Sequence, residues 1–346
     1  MKEKFKNFWL KMALVGLCAV AIMFGLTTGS VLAHEADPHP HAEGVKAIPS
    51  TVPPDDACRA TKPPGPCDTD HSRPEHGSLG NIGAKLANPL GNVWALTMSY
   101  NMPQFKDGNA NTGDPELGAG MNFEPILPFP IFGTGAGEWR MITRPIIPII
   151  FTEPFPTGEN EYDRKTGLGD IQLPLLFNLP ETIAGHFIIG GGPVGQFPTA
   201  TDERLGSNQW ALGPAVVFGY KTKKMTVGVF PNYFWKIGSS NQKKDQKDVN
   251  KGSMLYFFNY MLGDAWQIGC NPTISYNHKA KTGNKWDVPV GLFVGKTVKF
   301  GKLPVNIKAG LEYSVVSPDE FGQRAQFRIQ ITPVMPALVQ DPIFGK

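Results

Sequence analysis

Trp266-Gln-Ile-Gly-Cys-Asn-Pro-Thr-Ile-Ser-Tyr-Asn277 decides the fold. Trp266, Ile268, Cys270, Ile274 and Tyr276 hold one parity, while Gln267, Asn271, Thr273, Ser275 and Asn277 hold the other. Successive side chains of a strand point to opposite faces, so this segment reads as a strand that is apolar on one side only. Working outward, the pattern recurs: Trp286, Val288, Val290, Leu292 and Val294 oppose Asp287, Gly291 and Gly295, and Val305, Ile307, Ala309 and Leu311 oppose Asn306, Lys308 and Glu312. Ala325, Phe327, Ile329 and Ile331 then oppose Arg324, Gln326, Arg328 and Gln330. From about Val93 to Val334 such units are closed by turns that run long, short, long, short. That is the pattern of an antiparallel transmembrane β-barrel, in which lipid-facing and lumen-facing side chains alternate. A soluble antiparallel sandwich alternates too, but it needs no export signal.

The N-terminus supplies one. Lys2, Lys4, Lys6 and Lys11 flank the apolar run Met12 to Leu26, and Ser30-Val-Leu-Ala33 ends it with small residues. A basic flank, a short apolar run and an A-x-A-like end describe a secretory signal peptide over residues 1–33, cleaved after Ala33. The run is shorter than the roughly twenty residues that span a bilayer as a helix. Leu17 before Cys18 argues against lipidation. Composition agrees with a barrel: 39 Gly, 32 Pro, 18% charged residues and a mean hydropathy of -0.19, the near-neutral value of strands that are only half apolar. A formal charge of +3 gives no reason to expect nucleic acid as a partner.

Residues 34–92 read as a disordered periplasmic tail, because a Pro-, His- and Asp-rich segment buries too little apolar surface to fold alone. Cys58 and Cys67 lie inside it, and an oxidising compartment favours a disulfide between them. His39 and His41 could share an ion, but no tetrahedral spacing is present, and no metal or cofactor is expected.

The remainder divides into about twelve strands over 93–335 and a C-terminal extension over 336–346. Outer-membrane barrels join strands by short periplasmic turns and longer extracellular loops. Long connections fall at Asn101 to Glu116, Thr152 to Gly167, Pro198 to Ser207, Ile237 to Lys251, His278 to Asn284 and Ser317 to Gly322; short ones fall at Lys221 to Lys224, Leu262 to Asp264 and Lys299 to Leu303. An even strand count whose first connection is long puts both termini in the periplasm. The expected location is the cell outer membrane, with lipid, small solutes and the barrel-assembly machinery as partners. Trp94, Trp139 and Trp266 would then mark one interfacial girdle and Trp210, Trp235 and Trp286 the other.

Several runs carry a family resemblance: Gly167-Leu-Gly-Asp-Ile-Gln172, Ile142-Thr-Arg-Pro-Ile-Ile-Pro-Ile-Ile150, Phe197-Pro-Thr-Ala200 with Leu205-Gly, Gln209-Trp-Ala-Leu-Gly-Pro214, and Lys299-Phe-Gly-Lys-Leu-Pro-Val305 with Ala309-Gly. Together, over roughly Gly80 to Thr332, the chain resembles the bacterial outer-membrane transporter family catalogued with the MetA-pathway of phenol degradation, whose members are often mislabelled neuromedin U. The resemblance implies a β-barrel that passes small, often apolar or aromatic, compounds. It carries over no ligand-contact residue.

By parity the inward face carries Glu124, Arg140, Arg144, Asp170, Lys308, Glu312, Arg324 and Arg328. An arginine facing lipid at mid-depth costs about 2 to 4 kcal/mol, which drives such groups into the lumen. There they either set the potential of a solute path or pair up as a plug. No catalytic residue is expected. His186 and His278 sit in no nucleophile motif, which weighs against an outer-membrane lipid hydrolase, and Asp170 has no placed carboxylate partner. Gly190-Gly-Gly192 reads as a bulge or bend rather than a phosphate cradle. The expected function is therefore a passive channel. The alternative is a non-conducting surface or scaffold barrel with a plugged lumen.

Overall fold

The computed structural model describes residues 79–106, 115–158, 161–239 and 247–345. The signal segment, the Cys58 and Cys67 pair and the histidines at 39 and 41 lie outside the described residues. No helix of the described residues is long and apolar enough to cross a membrane, so any crossing falls to strands.

Twelve antiparallel strands close on themselves. They are β1 (Ala95–Phe105), β2 (Ala119–Phe132), β3 (Trp139–Thr143 continued by Ile147–Gly158), β4 (Glu161–Leu168 continued by Ile171–Asn178), β5 (Phe187–Phe197), β6 (Gln209–Lys221), β7 (Met225–Ser239), β8 (Asn250–Gly263), β9 (Trp266–Cys270 continued by Thr273–Asn277), β10 (Trp286–Phe300), β11 (Leu303–Val316) and β12 (Gln323–Pro333). Each pairs with its neighbours in sequence, and β12 returns to β1 through Met98↔Ile331 to Gln104↔Ala325, so the barrel wall closes; among the described residues the projecting Glu161–Leu168 part of β4 pairs on one side alone. A short helix α1 (Leu79–Leu86) precedes β1, and a single turn α2 (Glu181–Ala184) joins β4 to β5.

Alternation in sequence becomes alternation in exposure. Along β6, Gln209, Ala211, Ala215 and Val217 are buried, whereas Trp210, Leu212, Val216, Phe218 and Tyr220 are exposed. The outward row continues on β10 as Val290, Leu292 and Val294 and on β11 as Leu311, Tyr313 and Val315. A belt of exposed aliphatic and aromatic side chains around a barrel is stable against lipid and not against water. Lys296 also has the outward parity, and its ammonium lies 4.8 Å from the Trp266 ring, a cation–π contact near the turn end of the wall.

Four positions depart from the sequence reading. The stretch Thr152 to Gly167 is not an open loop. It continues the β3–β4 ladder as a hairpin with Glu153↔Lys165 and Phe155↔Asp163, because its polar residues still alternate as strand residues do. Trp94 is not in a girdle; it is 4% exposed and meets Phe129 edge to face at 5.3 Å, while Met335 donates to its carbonyl. The three glycines on β5 make no bulge in the β5–β6 ladder. They admit close neighbours: a Cβ on Gly192 would lie 2.0 Å from the Leu175 carbonyl oxygen and one on Gly190 2.5 Å from Leu90 Cδ1. Cys270 borders the interior rather than lipid alone, since β9 breaks at Asn271 and Pro272 and the strict period is lost there. Across that break the Tyr256 hydroxyl donates to the Pro289 carbonyl at 2.8 Å, linking β8 to β10.

The C-terminal extension returns along the turn end, where the Ile343 and Phe344 amides donate to the Pro130 and Ile131 carbonyls of β2.

Candidate functional site: a two-faced lumen

The interior holds a cavity of about 690 Å3. Its floor, toward the turn end, is made by Leu86, Ala87 and Pro89, and its other end reaches Asn284, Lys285 and Pro318 of the loops. The floor exists because α1 lies inside the barrel. A Cβ added to Gly83 would stand 2.9 Å from Thr297 Oγ1 and 3.3 Å from Met261 Cε, so glycine is what lets the helix backbone approach β8 and β10. Around α1 the wall is closed by small polar groups: Asn306 donates to Thr297 Oγ1 at 2.9 Å, and the Thr332 and Thr97 hydroxyls meet at 3.3 Å across the closing seam. The sequence reading missed this helix. Its signal, the apolar positions Leu79, Ile82 and Leu86, is diluted by two glycines.

The two walls differ in chemistry. On β3 to β7 the inward residues Ile142, Leu176, Ile188, Val194, Val217 and Phe234 form one apolar cluster, joined by Leu90 from the segment after α1 and by Val249 from a loop. On β10 to β12 and β1 to β2 the cavity-facing residues are mostly polar or charged, among them Ser99, Glu124, Lys308, Glu312, Arg328 and Gln330, with Phe293 the aromatic exception.

Of the residues singled out by parity, Glu124, Arg144, Lys308 and Arg328 border the cavity, and Glu312 adjoins it through Arg328. Arg144 pairs with Glu124 at 2.7 Å, and Arg328 pairs with Glu312 at 2.8 Å while its Nε donates to Asn101 Oδ1 at 2.9 Å. Lys308 is different. Its ammonium lies 4.6 Å from the Phe293 ring centre, and among the described residues it makes no ion pair. Arg140 stands near the turn end, held by Glu138, with its amide donating to Asn178 Oδ1. Arg324 is exposed at the start of β12.

Asp170 serves the loops instead of the cavity. It lies where β4 is interrupted, and its Oδ2 accepts from the Ser207 amide at 2.6 Å, the Ser207 hydroxyl at 2.7 Å and Gln196 Nε2 at 3.1 Å. Thr199 and Thr201 add bonds to the Gly169 carbonyl and the Leu168 amide. A Cβ on Gly206 would lie 2.5 Å from Asp170 Oδ1, so the loop closes down on the carboxylate without a side chain between. The GLGD, FPTA and LGS runs, distant in sequence, are thus one knot. A second pin acts on the next loop: Gln209, fully buried, accepts from the Val249 amide at 2.7 Å and donates to the Lys247 carbonyl at 3.0 Å.

Beyond the rim, the β3–β4 hairpin carries charge on both faces. Lys165 hydrogen-bonds Asp163 and, ahead of the nearby Arg204, holds its carboxyl below the usual carboxylate range. The same contact holds Lys165 above its ordinary value. Among the described residues no group of three or more His, Cys, Asp or Glu is placed to hold a metal. His278 Nδ1 lies 3.2 Å from the Tyr276 hydroxyl rather than beside Ser275, and the His186 ring lies near Tyr220.

The closed twelve-stranded wall and its lumen define an outer-membrane-type β-barrel. Among solved structures the chain is similar to an outer membrane channel from Pseudomonas putida F1, with a TM-score of 0.56 at 10% identity over 72% of this chain and 98% of that one. More distant likenesses are to the NanC porin, with a TM-score of 0.43 at 11% identity over 70% and 99% of the two chains, and to outer membrane phospholipase A from Escherichia coli, at 0.36 and 12% over 74% and 99%. No family model matches the sequence, and no curated protein sequence matches it.

Proposed function

We propose that this chain is a passive outer-membrane channel for small molecules with an apolar body, entering from the loop side and leaving past α1, with both termini in the periplasm. Residues 1–33 would be removed on export, and the barrel-assembly machinery would insert the mature chain. The observation that carries the reading is the cavity of about 690 Å3 bordered by the rings of Phe230, Phe234, Phe257 and Phe293 and by the cations Arg144, Lys308 and Arg328. A volume of this order suits a single small ligand. Eight-stranded barrels are filled by their own side chains and porins of sixteen strands or more hold a wide aqueous channel, so twelve strands give room for one solute at a time.

One observation favours a second reading, a barrel that conducts nothing: α1 sits in the lumen and closes the cavity on the turn side. Planar-bilayer recording of the purified mature protein decides. A channel gives small, discrete conductance steps; a silent bilayer with correctly folded, heat-modifiable protein would leave the closed barrel.

A further inference from the structure

We propose that the cavity is a binding site for a small organic anion with an apolar body, its carboxylate paired with Lys308 and its hydrocarbon part against Phe257 and Phe293. This rests on the channel reading and names the substrate class that such a lumen would select.

Five cationic side chains border the cavity, Arg144, Lys251, Lys285, Lys308 and Arg328, against the carboxylates Glu124 and Asp287. Arg144 spends its charge on Glu124 and Arg328 on Glu312. Lys308 has no carboxylate within ion-pair distance among the described residues, although it is only 9% exposed. A buried ammonium without a counter-ion is costly, and an anion brought to it removes that cost. Nor is the lysine free to swing away. It stands between Gly295 and Gln330 in the register of β10, β11 and β12, and its stem runs over Gly295, where a Cβ would come within 2.8 Å of Lys308 Cγ.

The surroundings choose the rest of the ligand. Phe293 lies beneath the ammonium at 4.6 Å, and Phe230, Phe234 and Phe257 border the same cavity. Phe293 and Phe257 are each 6% exposed, so both rings are fixed by the wall. Among the described residues Asn259 Oδ1 has no hydrogen-bond partner, and Gln330 reaches the same space. A fully hydrophilic anion would leave the phenylalanine wall wet. A neutral aromatic would leave the ammonium unpaired. An aromatic or short aliphatic carboxylate satisfies both walls.

The test is titration calorimetry of the detergent-purified mature protein with sodium benzoate, benzyl alcohol and sodium acetate as probes. Benzoate is expected to bind at least about tenfold more tightly than either, than benzyl alcohol by one charge-assisted contact and than acetate by the buried ring. Lys308→Met should bring benzoate down to the level of benzyl alcohol, and Lys308→Arg should keep the preference. Phe257→Ala should weaken benzoate and leave acetate unchanged. Equal binding of benzoate and benzyl alcohol would overturn the inference, as would a benzoate affinity that Lys308→Met does not change, or no benzoate binding at tens of millimolar. Because binding is read in detergent and passage in bilayers, the two readings fail separately: benzoate binding without conductance sinks the channel and keeps the site, and conductance without a Lys308-dependent preference does the reverse.

Discussion

Single residues carry more of the architecture than their parity announced. Asp170 has the inward parity of a lumen residue, yet its carboxylate collects Ser207 and Gln196 and thereby folds the 198–208 loop onto the barrel. The sequence showed the motif but not its use, because its partners lie 26 and 37 residues away, beyond the reach of any local pattern. Each bond to an ionised acceptor contributes about 1.5 to 3 kcal/mol, and Gln196, 1% exposed, would lose a partner in the dry interior. Asp170→Ala is therefore expected to destabilise the loop by about 2 to 4 kcal/mol, with a smaller loss for Asp170→Asn, which keeps one acceptor oxygen. Limited proteolysis of folded protein reads this directly: cleavage within 198–208 should be fast in the alanine variant and slow in the parent. Equal rates would mean that backbone pairing alone holds the loop. Lys308 was legible as an inward cation from its place between Ile307 and Ala309, but that it lacks a counter-ion among the described residues while its neighbour Arg328 has one emerges only when β10, β11 and β12 are side by side.

At the level of elements, the strands were the readable part, with the inward residues they carry, and the helix inside the barrel was not. A strand between lipid and lumen must alternate, so β6 and β10 to β12 stand in the sequence almost residue by residue. Where the ladder is broken, at Asn271 and Pro272, the period lapses, so Cys270 keeps the parity of exposed Phe258, its register partner, and also borders the cavity. Helix α1 had no comparable imprint: eight residues with glycines at 80 and 83 form no independent helix, and it exists because the lumen wall packs around it. That dependence makes it testable. Leucine at position 83 needs space that Thr297, Met261 and Gln267 occupy, so Gly83→Leu should expel α1 from the lumen while leaving the twelve strands paired. In bilayers the variant is expected to conduct several times more than the parent, with unchanged heat-modifiability. A Gly83→Leu protein as closed as the parent would show that α1 is not the constriction.

For the whole molecule, the twelve-strand closure follows from pairing alone, but its orientation in the membrane rests on loop length and charge. The long connections, with Lys281, Glu320, Arg204 and Asp163 on them or on the adjoining hairpin, gather at one end, and the tight turns at Gly263, Lys223 and Gly301 gather at the other, where the C-terminal segment bonds β2 through Ile343 and Phe344. Outer-membrane barrels have short periplasmic turns and longer extracellular loops, which turns the end with the long connections toward the medium. If this end-to-end assignment holds, Lys281 faces the medium and Lys302 the periplasm. Both are exposed, so accessibility differs only by side of the membrane. In a background with the native cysteines replaced by serine, Lys281→Cys should react with a membrane-impermeant maleimide on intact cells, and Lys302→Cys should react only after the outer membrane is opened. Reaction of Lys302→Cys alone on intact cells would invert the barrel and place α1 and the cavity floor at the outer surface. Labelling of both at equal rates on intact cells would put Lys281 and Lys302 on the same side of the membrane and overturn the end-to-end topology, and with it the passage of solutes from the loop side to α1.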